Sequence, residues 1–149
     1  MLDSSIKNKV VCIFGWAFKK DTNDSRESAS IYLAEKLLDK GAIINIYDPM
    51  VKKSRIISDL ETLMTEKDTA IKSIKKNISR VNIFSDPYLA ISTSFLIAIC
   101  TEWDEFLEYN WKEIYKSMQK PAWVFDGRNL LNIEDLEEIG FNTYAIGKQ

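Results

Sequence analysis

The sequence predicts a doubly wound α/β domain: a mainly parallel sheet with helices on both faces. Three observations predict it. Short apolar, β-branched runs alternate along the chain with segments whose apolar residues recur at helical spacing. The run FLIAIC at 95–100 is the most apolar stretch and is bounded by polar loops, as a central strand covered on both faces requires. VVCIF at 10–14 passes through Gly15 and a polar loop into a helical pattern and then a second apolar run, forming a strand-loop-helix-strand unit.

Each element has its own local reason. The first strand is expected over 9–14. The first helix is expected over 28–40, where Ile31, Leu33, Ala34, Leu37 and Leu38 share a face and Gly41 stops the helix. AIINIY at 42–47 is the second strand, ended by Asp48-Pro49 because proline has no amide to donate to a ladder. The polar, Lys- and Arg-rich stretch 52–80 is expected to hold one helix and a solvated segment, with no chemistry assigned to it. VNIF at 81–84 is a short strand. Asp86-Pro87 opens a helix with proline in the first turn, where a missing amide costs nothing. After the central strand, 103–118 carries a helical pattern and 122–126 a further strand ending at Asp126-Gly127-Arg128. A last helix over 133–139 stops at Gly140, and FNTYAIG closes the chain as an edge strand. No internal repeat or low-complexity linker interrupts the pattern, so residues 1–149 read as one domain.

Composition narrows the chemistry. A chain of 149 residues that is 46% hydrophobic has enough apolar material for one buried core. A net charge of −2 gives no general attraction to nucleic acid or an anionic membrane, so any anion site must be local. No apolar stretch approaches the ~18 residues of a membrane span, and MLDSSIKNK is not followed by a signal-peptide core. Cys12 and Cys100 each lie inside an apolar run and form no CxxC pair, as expected of buried thiols in a reducing, cytoplasmic setting. The complete absence of histidine removes the Ser-His-Asp triad, the Cys-His dyad and the HExxH zinc site.

In a doubly wound sheet ligands bind beyond the carboxyl ends of the strands, where the strand order reverses. Four loops lie there: 16–26, Asp48-Pro49, Thr101-Glu102-Trp103 and Asp126-Gly127-Arg128. The first lacks a GxGxxG motif and reads Gly15-Trp16-Ala17-Phe18-Lys19-Lys20. Its Lys19, Lys20 and Arg26, with Arg128 on the same rim, make a local anion site, since arginine presents a planar fork to phosphate oxygens. Trp16 and Phe18 offer a stacking surface for a base, or else turn into the core. Asp21, Asp24 and Glu27 lack the spacing of a calcium loop and are expected to pair with the interleaved cations, so no metal is assigned. Ser25 or Ser28 is expected to cap the helix that follows.

The loop FGWAFKKDTNDSRES at 14–28 resembles the signature that opens the C-terminal domain of the UDP-glucose/GDP-mannose dehydrogenase family. IYDP at 46–49, CTEWDEF at 100–106 and VFDGRNLL at 124–131 agree in order, so the resemblance covers nearly the entire chain. The SIYL continuation is closer to the UDP-glucose members than to the GDP-mannose ones. The resemblance implies a Rossmann-like fold and a part in oxidising a sugar C6 alcohol to a carboxylate in two steps with two NAD+, through a cysteine thiohemiacetal and thioester. It implies that Phe18, Lys19 and Arg128 contact the UDP-sugar, and that Arg26 reaches NAD across an interdomain cleft. It leaves open a homo-oligomer of the full-length enzyme.

Family members also carry an N-terminal dinucleotide-binding domain and a central helix, which supply the GxGxxG motif, the nucleophilic cysteine and the general bases. None of these appears in this chain, and neither Cys12 nor Cys100 matches the nucleophile, so no catalytic residue is assigned. Asn23 stands where relatives often carry glycine. The expectation is therefore a UDP-glucose-binding domain, inactive alone and partnered by the missing N-terminal and central domains. The alternatives are a free-standing UDP-sugar-binding regulatory module and an oligomer-assembly domain.

Overall fold

A computed structural model describes residues 6–145. Six strands, β1 (Val10–Phe14), β2 (Ile43–Tyr47), β3 (Val81–Ile83), β4 (Leu96–Ile99), β5 (Trp123–Asp126) and β6 (Asn142–Ala145), form one sheet in the order β3-β2-β1-β4-β5-β6. Every neighbouring pair is parallel. The sheet is thus the Rossmann-like, doubly wound arrangement, with its order reversing between β1 and β4.

Six helices cover it: α1 (Ala29–Asp39), α2 (Lys53–Glu66), α3 (Ile71–Ile78), α4 (Pro87–Ile91), α5 (Trp111–Ser117) and α6 (Ile133–Ile139). α1 packs on α2 and α2 on α3, while α4 packs on α5 and α5 on α6, giving two helical sets. Burial follows position in the sheet. All four residues of β4 are buried, as its unbroken apolar run requires, whereas edge strand β6 alternates exposed and half-buried residues. The core joins Ile13, Ile44, Ile46, Ile97 and Val124 of the strands to Leu38, Ile56, Leu60 and Met64 of the helices. Each side chain of this size contributes about 1.5–3 kcal/mol on full burial.

Local signals place the helix ends. Ser28, not Ser25, caps α1, its hydroxyl accepting from the Ser30 amide. The Asp86 carboxylate accepts from the Tyr88 amide with Pro87 in the first turn of α4. Gly140 ends α6 at φ 129°, and its amide donates to the Leu136 and Glu137 carbonyls.

Two elements differ from the sequence expectation. The stretch 52–80 folds into two helices instead of one, because Ile56, Leu60 and Met64 bury one stripe of α2 and Asp68, at φ 57°, turns the chain into α3. The helical pattern at 103–118 is split into a 3-10 turn at Asp104–Glu108 and α5, because the Asn110 side chain accepts from the Glu113 amide and starts a new helix. Of the closing FNTYAIG segment, Ile146 and Gly147 lie outside the described residues.

Candidate functional site

The crevice at the carboxyl ends of β1 and β4 is built by close crossing of loops. Gly15 donates its amide to the Tyr47 carbonyl at 2.8 Å and adopts φ 96°. A Cβ at this position would lie 2.4 Å from the Thr101 side chain, so only glycine lets the first loop pass the loop after β4. The Thr101 hydroxyl then donates to the Ala17 carbonyl at 2.7 Å and ties the two loops together.

Asp48 holds this junction. One carboxylate oxygen accepts from the Trp16 amide at 2.6 Å, the Ala17 amide at 2.9 Å and the Trp103 indole at 3.1 Å. The other accepts from the Met50 and Val51 amides at 2.8 and 2.9 Å. A single buried carboxylate therefore joins the loops after β1, β2 and β4, and its charge is compensated by donors instead of a cation. Sequence reasoning pointed to the Asp48-Pro49 loop but missed this role; the available signal was an acid placed directly at the end of a buried strand.

The two aromatics of the first loop go opposite ways. Trp16 is fully buried, and its indole N–H donates to Asp59 at 3.0 Å, a carboxylate also bound by the Ser25 hydroxyl and Arg55. Phe18 is 51% exposed on the rim, so it alone offers a free aromatic face. Beside it Lys19 is exposed and makes no ion pair among the described residues. Lys20 pairs with Asp104 at 3.2 Å, across to the loop after β4, and not with the acids of its own loop.

The loop after β5 is shaped by a second buried carboxylate. Asp126 accepts from the Arg128 amide at 3.0 Å and the Leu131 amide at 2.7 Å, which fixes the start of the Arg128 side chain. Arg128 then pairs with Glu102 at 2.9 Å. Burial pushes the pKa of Glu102 up, but hydrogen bonding and charge from Arg128 outweigh it and hold the carboxyl below its ordinary value.

Arg26 is elsewhere. It pairs with Asp24 of its own loop at 2.9 Å, its side chain 76% exposed, and lines a cleft of about 470 Å³ with Asn23, Lys52, Ser54 and Arg55. The structure thus brings Lys20 and Arg128 to the same acidic loop and turns Arg26 towards α2. The expected self-pairing of the loop carboxylates holds for Asp24, whose carboxyl is lowered to about 2 by its hydrogen bonds with Arg26. Glu27 instead accepts from the Tyr32 hydroxyl at 3.3 Å. Among the described residues, no group of three or more acidic, cysteine or histidine side chains converges to hold a metal ion.

Both thiols are held protonated. Burial pushes Cys12 well above its ordinary value, with Cys100 adding to the effect, and burial pushes Cys100 up to about 12 against the opposing charge of Arg128. A thiol in that state is a poor nucleophile at neutral pH. The crevice therefore offers binding groups, namely an aromatic face, an unpaired ammonium and a guanidinium, without an activated nucleophile.

Comparison with known proteins agrees with this geometry. Residues 12–133 match the model of the UDP-glucose/GDP-mannose dehydrogenase family, UDP binding domain. The chain is 44% identical over 149 residues to UDP-glucose 6-dehydrogenase of Drosophila melanogaster, covering 99% of this chain and 30% of that protein. It is 42% identical over 150 residues to the Bos taurus enzyme of the same name, covering 99% of this chain and 29% of that one. The chain thus spans about 30% of the length of the curated relatives it matches. Among solved structures, NDP-N-acetyl-D-galactosaminuronic acid dehydrogenase from Methanosarcina mazei superposes with a TM-score of 0.74 at 20% identity, over 97% of this chain and 26% of that one. That last likeness concerns the fold. The family match contains all four loops that form the crevice, and this chain belongs to the UDP-glucose/GDP-mannose dehydrogenase family.

Proposed function

We propose that this chain is the UDP-sugar-binding domain of a UDP-glucose 6-dehydrogenase, an enzyme that oxidises UDP-glucose to UDP-glucuronate with NAD+. Phe18 packs against the UDP part, Lys19 and Arg128 bind its phosphates, and Arg26 faces NAD held by a separate domain. The observation that carries the reading is the separation of the cations: Arg128, on the loop after β5, is anchored in the β1/β4 crevice, whereas Arg26, on the loop after β1, lies beside α2. Two nucleotides approaching from different sides need that division. NAD would supply hydride acceptance when bound; this chain contributes orientation and charge, and the nucleophile and dinucleotide loop belong to the domains that complete the enzyme. The two free thiols, one buried and one half-buried, favour a reducing, cytoplasmic setting.

Calorimetric titration of UDP into the chain and its alanine variants tests the reading. Lys19→Ala and Arg128→Ala each remove a charge-assisted contact and are expected to weaken UDP binding by roughly 1.5–3 kcal/mol. Equal losses in these two and in Arg26→Ala would leave only a diffuse basic rim. Formation of NADH by the chain alone with UDP-glucose would overturn the division of labour.

A further inference from the structure

We propose that Glu102 is a positioning residue that holds the Arg128 guanidinium ready for a phosphate, an inference that rests on the proposed contact between Arg128 and the UDP diphosphate. The geometry of the pair is specific. Arg128 uses one nitrogen, Nη2, to donate to both Glu102 oxygens, at 3.0 Å to Oε1 and 2.9 Å to Oε2. Its Nε and Nη1 donors have no partner among the described residues. Glu102 thus orients the guanidinium and leaves the remaining N–H groups for an anion.

Glu102 is itself the fixed end. Its neighbour Thr101 is fully buried and donates to the Ala17 carbonyl at 2.7 Å, and its other neighbour Trp103 donates to Asp48 at 3.1 Å. The backbone carrying Glu102 is therefore pinned on both sides by hydrogen bonds to other loops. Arg128 is pinned only at its backbone, through Asp126, and has a long side chain whose rotamer freedom would otherwise be lost on binding. The pair is also shielded: its side chains are 33% and 30% exposed, against 43% and 70% for Lys20 and Asp104 on the outer rim. Water and salt screen it less than the outer pair.

Pre-ordering one long side chain and placing a negative charge near a diphosphate have opposite signs, and two substitutions separate them. Glu102→Ala removes both acceptors and frees Arg128; it is expected to weaken UDP binding about 3- to 10-fold, the range for one immobilised side chain. Glu102→Gln keeps an acceptor and removes the charge, so its affinity is expected to equal or exceed that of the wild type. In the Arg128→Ala background, Glu102→Ala is expected to cause no further loss.

Calorimetry with UDP on the chain, its single variants and the double variant decides this. A parallel measurement of the Arg128 Nε–Hε heteronuclear NOE without ligand should show a loss of order in Glu102→Ala and none in Glu102→Gln. A loss from Glu102→Ala that persists in the Arg128→Ala background would mean a general collapse of the loop and overturn the proposal. So would an unchanged affinity in Glu102→Ala alongside a clear loss in Arg128→Ala, which leaves the UDP contact standing. No loss in Arg128→Ala, or no uptake of UDP by the wild type, would overturn the contact and the positioning role together.

Discussion

The base of the crevice and its crest are built by opposite means. At the base, Gly15, Asp48 and Thr101 are buried or tightly enclosed and bonded across loops far apart in sequence. On the crest, Phe18, Lys19 and Arg26 are exposed, and the ion pair of Arg26 joins residues only two apart. Long-range bonds to buried groups define a position relative to the rest of the molecule, whereas a local surface pair satisfies itself and defines little. The base is a scaffold, and the crest is what it presents.

Removing the central carboxylate should break the base most severely. Asp48→Ala strands five buried or half-buried donors, and a loss of about 3–5 kcal/mol in urea unfolding is expected. A loss near the surface-substitution range of about 0.5 kcal/mol would mean the loops are held by packing alone. Gly15→Ala comes next, at about 2–4 kcal/mol, because a methyl group meets Thr101 and the residue is forced to keep a positive φ. Thr101→Gly combined with Gly15→Ala should recover part of that loss, which sharpens the distinction between clash and backbone strain.

Alkaline pH probes the same interior more gently. Cys100 is raised from 9.0 to about 12, and burial followed by hydrogen bonding to Glu105 raises Tyr47 and Tyr109. Groups raised on folding contribute stability that is complete below their unfolded values and is lost as pH rises through the folded ones. The melting temperature should hold to about pH 9 and fall progressively towards pH 12. Native titration with a thiol reagent at pH 8 should find both cysteines slow.

The smallest effect belongs to the crest. Arg26→Ala is expected to leave the urea unfolding midpoint nearly unchanged, since exposed pairs contribute little. Asp24 works in the opposite sense to the thiols: lowered to about 2, it contributes stability present above 3.8 and lost as pH falls towards 2. Its exposure makes that contribution small and salt-sensitive. If Arg26→Ala destabilised the chain as much as Gly15→Ala, the division between base and crest would fail.

The sequence by itself determined the order of strands and helices, the four loops at the carboxyl end and the family signature within them. Those are local properties: period, the Asp-Pro and Gly stops, and caps such as Asp86 act within a few residues. It left open which aromatic of the first loop faced outwards, assigned Lys20 a partner in its own loop, and gave one helix where α2 and α3 stand. Only the tertiary structure decided that Trp16 turns inwards to Asp59 and Phe18 outwards, that Lys20 crosses to Asp104, and that Asp48 gathers three loops. These contacts join residues from 31 to 84 positions apart, where no pattern in the chain encodes distance and only the packing of the sheet brings the partners together.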